Sequence, residues 1–263
     1  MSPIIEAVGF GFLIGLTVGV LGAGGSIMAV PALVYGVGLP VYQAIPISLL
    51  VVGLAAVVGL VPRLRERSVR WPVAIVFGGA GAVTAFAGAA VGRLISPQVL
   101  LLSFAALMVV AAVQMLVGSD EPRGSCAAPG GKINWRACLP KAMAAGVVVG
   151  FLTGMFGIGG GFIAVPALVL LLGLEMPVAV GTSLVIVLIN STAGLVAHLH
   201  AALHLDLGIA SAFASGALLA AAVSGPVASR LSADRLRQWF AYLVFGVAVF
   251  IAVQATLNPA ALG

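Results

Sequence analysis

The sequence predicts an all-α integral membrane protein built as two inverted repeats of about five segments each, and three observations predict it. The first is composition. Hydrophobic residues make up 62% of the chain and charged residues 7%, where a soluble domain carries about 25% charged residues. The second is a duplicated block: residues 11–34 read GFLIGLTVGVLGAGGSIMAVPALV, and residues 146–169 read GVVVGFLTGMFGIGGGFIAVPALV. At a constant offset of 135 the register continues without a gap through Gly38/Gly173, Ala44/Ala179, Ser48/Ser183 and Gly59/Gly194, with about 20 identities in 54 positions. The third is that the basic loops change places between the two halves.

A bilayer core of about 30 Å needs roughly 20 apolar residues per helix. In chain order, Ile4–Leu21, Gln43–Val61, Pro72–Leu94, Val99–Val117, Leu139–Phe156, Pro177–Ala197, Leu207–Ser229 and Leu236–Leu257 meet that length. Ser26–Val37 and Gly161–Leu172 do not; each follows a glycine cluster and holds a proline, so each reads as a short, broken or re-entrant helix. The partition is residues 1–118 for the first repeat, 119–138 for a cytoplasmic linker and 139–263 for the second repeat. The opening MSPIIEAVGFGF lacks the basic region and cleavage site of a removable signal, so it is expected to begin the first membrane segment.

Orientation follows from Lys and Arg. Arg63, Arg65, Arg67 and Arg70 crowd one loop, Arg123, Lys132, Arg136 and Lys141 the central one, and Arg230, Arg235 and Arg237 a third. The positive-inside rule sends all three to the cytoplasm, and Trp71, Trp135 and Trp239 beside them fit an interfacial belt. The repeat counterpart of the first loop, His198 to Asp206, has no Lys or Arg, and Gly92–Gln98 has only Arg93 where its counterpart has three arginines. That flip requires an odd number of crossings per half, hence ten segments with both termini outside. The twelve basic residues against seven acidic ones therefore report orientation and not a nucleic-acid partner. Cys126 and Cys138 match no zinc or redox spacing, and in a cytoplasmic loop both would be reduced.

The glycine clusters are the leading site candidates. Gly22, Gly24 and Gly25, and Gly157, Gly159, Gly160 and Gly161, end one helix and start a short one. Glycine tolerates the dihedrals of such a break and lets a ligand approach the backbone. The new helix starts near Ser26 or Phe162, with unpaired N–H groups and the positive end of its dipole. Two such starts facing each other from opposite repeats would make an anion site at mid-membrane, and a break of this kind survives only where protein or water lines it. Packing is the plainer reading for the spaced ridges Gly11, Gly15, Gly19 and Gly146, Gly150, Gly154. Pro31 and Pro166 kink the short segments and free carbonyls that shape a cavity.

Within the spans, Gln43, Ser48, Thr182, Ser183, Asn190, Ser191 and Thr192 offer neutral hydroxyls and amides, with Thr17 and Thr153 ahead of the clusters. Ser48 and Ser183 rank higher as repeat equivalents, and interhelical hydrogen bonding is the alternative for each residue of the set. No Lys, Arg, Asp or Glu sits at the centre of a full span, which argues against a voltage sensor or a carboxylate-based cation pump. His198, His200, His204 and Asp206 form a cluster at the outer face, read as an interfacial loop ahead of a metal site.

The duplicated G-x-G-G…A-V-P-A-L-V pattern, its place after the first helix of each half and the basic central loop resemble the TauE/SafE family of sulfite exporter-like membrane proteins. The resemblance covers nearly the whole chain. It implies a permease, usually an exporter, for small sulfur-containing anions such as sulfite, sulfoacetate or related organosulfonates. It carries a site role to Gly22, Gly24, Gly25, Pro31, Gly157, Gly159, Gly160 and Pro166, and leaves the histidines without one. The expected protein is thus a multi-pass plasma-membrane permease, not an enzyme, with no cofactor, metal or nucleic-acid partner. Its partners are a small anion and the lipid bilayer, and proton coupling and self-association stay open. An anion channel or a carrier of another solute is the alternative, ahead of an intramembrane enzyme and a membrane assembly factor.

Overall fold

The computed structural model describes residues 3–21, 26–117, 135–157, 160–198, 207–228 and 233–257, all helices and short connections without a strand among them. The first half contains α1 (Pro3–Leu21), the short α2 (Ser26–Gly36), α3 (Val41–Arg65), α4 (Trp71–Gly92) and α5 (Pro97–Val117). The second contains α6 (Trp135–Phe156), the short α7 (Gly161–Pro166, continuing as Ala167–Leu171), α8 (Met176–Ala197), α9 (Leu207–Ala228) and α10 (Ala233–Leu257). Eight long helices and two short ones are the set expected from the sequence, and six of the long ones carry an uninterrupted apolar window of membrane length among the described residues. Large apolar side chains such as Leu13, Val83, Phe86, Leu219 and Val223 point outward, the surface a bilayer requires and water would penalise.

The short segments break in the same way. Pro31 and Pro166 have no N–H to give to the preceding turn, and after each the helix widens into a single π turn, where Val37 N–H bonds the Ala32 carbonyl at 3.1 Å and Leu172 N–H the Ala167 carbonyl at 3.2 Å. Gly38 and Gly173 then turn the chain in the left-handed region, at φ +79° and +69°. Pro40 and Glu175 are extended and start α3 and α8. The offset of 135 holds to the end of α8; from there Trp71–Gly92 lies over Leu207–Ala228 at an offset of 136, so one extra residue enters the second half before α9.

The small-residue ridges seat helix on helix across the repeats. A Cβ on Gly11 or Gly15 would strike the Phe213 or Ala217 carbonyl of α9, and one on Gly146, Gly150 or Gly154 would strike the Phe77, Gly81 or Ala85 carbonyl of α4. Numbers rise together in both pairs, so α1 runs parallel to α9 and α6 to α4, and the packing reading of these ridges holds. The third helices do the opposite. Gly59 faces Leu184, Gly53 faces Ser191 and Gly194 faces Leu49, so α3 and α8 cross antiparallel. Gly59 and Gly194 are repeat equivalents, as are Leu49 and Leu184, so the contact is reciprocal.

Helix α4 also runs parallel to α8, since Arg70 N–H bonds Thr182 Oγ1, Gly78 meets Ile189 and Gly81 meets Asn190. Helices α6 and α8 therefore point the same way, and α7 with its turn must carry the chain back between them. One expectation fails. Cys138 is disulfide-bonded, not reduced, because the expectation came from compartment and carried no information on whether two cysteines meet.

Candidate functional site

The glycine break after α6 is built by two left-handed residues. Gly157 has φ +71° and Gly160 φ +67°, a region that costs any L side chain about 1–2 kcal/mol. Space excludes one too: a Cβ on Gly157 would run into the Ile45 side chain, and one on Gly160 into Thr153 Oγ1. Gly157 N–H closes α6 on the Thr153 carbonyl at 2.8 Å, and the Gly160 carbonyl opens α7 by accepting from Ala164 N–H at 2.9 Å. Gly161 is the first residue of α7 and is buried.

Ser48 ties this break to the other repeat. Fully buried on α3, its hydroxyl is directed both at the Ile45 carbonyl, at 2.8 Å, and at the Gly157 carbonyl. Two residues singled out in different halves of the sequence are thus in direct contact. Four helix ends converge there, namely the start of α3, the start of α7 and the ends of α6 and α8. The end of α4 lies against α6, since a Cβ on Gly92 would meet the Met155 carbonyl at 2.8 Å.

Other candidates lie elsewhere along the crossing. On the α3–α8 ladder Ser183 stands level with residue 60, twelve residues of α3 from Ser48, about 18 Å at 1.5 Å per residue. Thr182 and Ser183 are fully buried. Thr182 Oγ1 accepts from Arg70 N–H at 3.1 Å and pins the arginine-rich loop to α8, while Ser183 Oγ donates to the Val180 carbonyl at 2.8 Å. Between the two ends sits Asn190. Its amide oxygen and nitrogen are buried without a hydrogen-bond partner among the described residues, as is Ser191 Oγ. The Asn190 amide faces Gly81, whose added Cβ would lie 2.7 Å from Oδ1 and 3.0 Å from the Gly146 carbonyl. Burying polar atoms of this kind inside a membrane protein costs free energy, which sets Asn190 apart from the apolar residues around it.

Pro31 and Pro166 are buried at the switch from α to π turns, and Ser26 is fully buried at the start of α2. Gly22, Gly24, Gly25 and Gly159 lie outside the described residues, as do His200, His204 and Asp206. An apolar cavity of about 440 Å³ lies beside α2, lined by Phe10, Met28, Pro31, Tyr35 and Phe250 among others; it offers an anion no charge. Sequence reading missed Arg63, taken for a loop residue and found buried at the end of α3, and the partners of the glycine ridges, Gly81 and Gly88, which no repeat pattern marks.

The profile of the sulfite exporter TauE/SafE family matches residues 7–251. A "Probable membrane transporter protein" of Xylella fastidiosa (strain 9a5c) is 35% identical over 259 residues, covering 95% of each chain. The "Probable membrane transporter protein MJ0441" of Methanocaldococcus jannaschii is 27% identical over 199 residues, 73% of this chain and 70% of that one. The "Probable membrane transporter protein YdhB" of Bacillus subtilis (strain 168) is 24% identical over 177 residues, 67% and 71%. No solved structure matches.

Proposed function

We propose, from the premise that the chain belongs to the sulfite exporter TauE/SafE family and is a membrane transporter, that it is a plasma-membrane permease for small sulfur-containing oxyanions. In this reading the two repeats are inverted across the bilayer and rock about the α3–α8 crossing, exposing the path to one face and then the other. The observation that carries it is the contact of Ser48 on α3 with the Gly157 break of the other repeat. A left-handed glycine turn there sits on the interface between the repeats, beside hydroxyls and backbone N–H groups, with no carboxylate at the centre of a full span to repel an anion. The family description supplies the sulfur oxyanion, and the neutral hydroxyls and amide buried along the α3–α8 crossing support it. Substrate would pass Asn190, whose unpaired amide sits midway between the two ends.

Thermal unfolding of the purified protein with sulfite, thiosulfate, sulfoacetate, sulfate and non-sulfur anions tests this. Binding to the folded state raises the melting temperature with ligand concentration. The reading expects a shift for at least one sulfur oxyanion that is lost in Gly24→Leu and Gly159→Leu. A folded wild type that responds to none of these anions overturns it and points to cations or neutral solutes.

A further inference from the structure

The third helices of the two repeats end in a matched pair. Arg63 and His198 are equivalents at the offset of 135, each at the C-terminal end of its helix and each buried, 6% and 9% exposed. Because α3 and α8 cross antiparallel, the two lie at opposite ends of the crossing. A helix C-terminus favours a cation, which explains why a basic residue is tolerated at either position. It does not supply a guanidinium N–H with an acceptor.

Arg63 lacks one. Its Nη1 donates to Glu66 Oε2 at 3.3 Å, and that carboxylate side chain is 43% exposed. Nη2 is buried without a partner among the described residues. The surrounding loop adds Arg65, Arg67 and Arg70, all exposed, and Arg70 N–H is bound to Thr182. Among the described residues the site offers Nη2 no oxygen acceptor, and a buried charge held by one pair leaves that lack costly.

His198 presents the complementary case. Its Nδ1 lies 2.9 Å from the Gly194 carbonyl, an atom that only accepts, so Nδ1 carries the proton and Nε2 of the neutral ring is bare. Burial first, and the cation Arg93 after α4, hold the imidazole below its ordinary value, with the Gly194 bond pulling partly back. Ala44, Ile45 and Ser48 stand on α3 at this level and carry no charge, and α6 and α7 bring Met155, Phe156, Gly157 and Gly160. A bare Nε2 repels an anion; a protonated one donates to it, and an anion between it and Arg93 relieves the repulsion of the two cations.

We propose that Arg63 and His198 are paired anion contacts at the two ends of the substrate path, the first cationic at all times and the second cationic only when it takes up a proton together with the anion. The proton comes from solvent to Nε2 and returns there when the anion leaves; no covalent bond to the substrate forms. This rests on the anion-permease reading and adds to it a proton carrier, which the lack of a carboxylate at the centre of any full span had left without a candidate.

The test measures anion affinity and proton uptake by the purified full chain between pH 5.5 and 8, using sulfate and methanesulfonate, whose charges do not change in that range. Wild type should bind more tightly as pH falls, by up to about tenfold per pH unit, and take up protons on binding. His198→Arg, which copies Arg63, should bind with an affinity flat in pH. His198→Gln should bind weakly and without proton uptake, Arg63→Gln should weaken binding at every pH, and His200→Ala with His204→Ala should keep the wild-type slope. Wild-type binding that is flat in pH and takes up no protons overturns the proposal without any variant having to fold. So does a slope that survives in folded His198→Gln. Absence of binding by both anions, and by sulfite, overturns the permease reading instead, and this inference with it.

Discussion

The two repeats share a scaffold and differ at the places where chemistry would occur. Both break after their first helix, both put a π turn after a proline, and both exchange a glycine and a leucine across the α3–α8 crossing. Yet Ala55 and Ala56 of the first half become Asn190 and Ser191 in the second, and Arg63 becomes His198. Duplication alone would make the two ends of the path identical. In the proposed reading the two ends of the path therefore meet an anion with different side chains, while the gradients across the membrane set its net direction.

The comparison breaks most severely at the shared scaffold. Gly154→Leu drives a side chain into the Ala85 carbonyl of α4, and we expect the loss of more than about 4 kcal/mol, seen as failure to yield a monodisperse protein. Gly157→Ala, at φ +71° against Ile45, should cost about 2–3 kcal/mol from strain and clash together and abolish flux; Ile45→Ala should restore part of the stability but not the flux. Ser48→Ala removes the cross-repeat hydrogen bond to Gly157 and should cost about 1 kcal/mol in thermal unfolding.

The differences between repeats give smaller and more telling effects. Asn190→Ala makes the second half match Ala55 and removes an amide with no partner among the described residues. Stability should stay level or rise by up to about 1 kcal/mol, while transport falls; a loss of stability with intact flux would make Asn190 a packing residue. The anion-free protein should also lose stability as pH falls. His198 is held below its unfolded value near 6.5, so the folded state binds fewer protons, and this stability is complete above that value and is lost as pH drops through it. His198→Gln should remove that component.

Much of the scaffold was legible in the sequence because a membrane leaves few choices. Apolar runs gave the eight long helices, and the repeat gave the two short ones, since Pro31 and Pro166 interrupt hydrogen bonding wherever they stand. Gly157 and Ser48 were both readable as candidates from their repeat equivalents. Their contact was not, because it depends on how one half docks on the other. The same limit hid Arg63. Four arginines close together read as a solvated loop, and only the antiparallel crossing shows that the first of them is drawn under α8. The 18 Å between Ser48 and Ser183 was invisible too, since equivalence in sequence does not reveal which residues share a level.

Counterflow in proteoliposomes tests the central claim most directly. Vesicles holding the purified protein are preloaded with sulfite, and uptake of a labelled sulfur oxyanion is followed with and without the preload. A permease whose repeats alternate around one path should show saturable uptake, accelerated by the internal anion and abolished by Gly157→Leu. Uptake that rises linearly with concentration and ignores the preload would mean a channel, and the rocking account of the two repeats would be wrong.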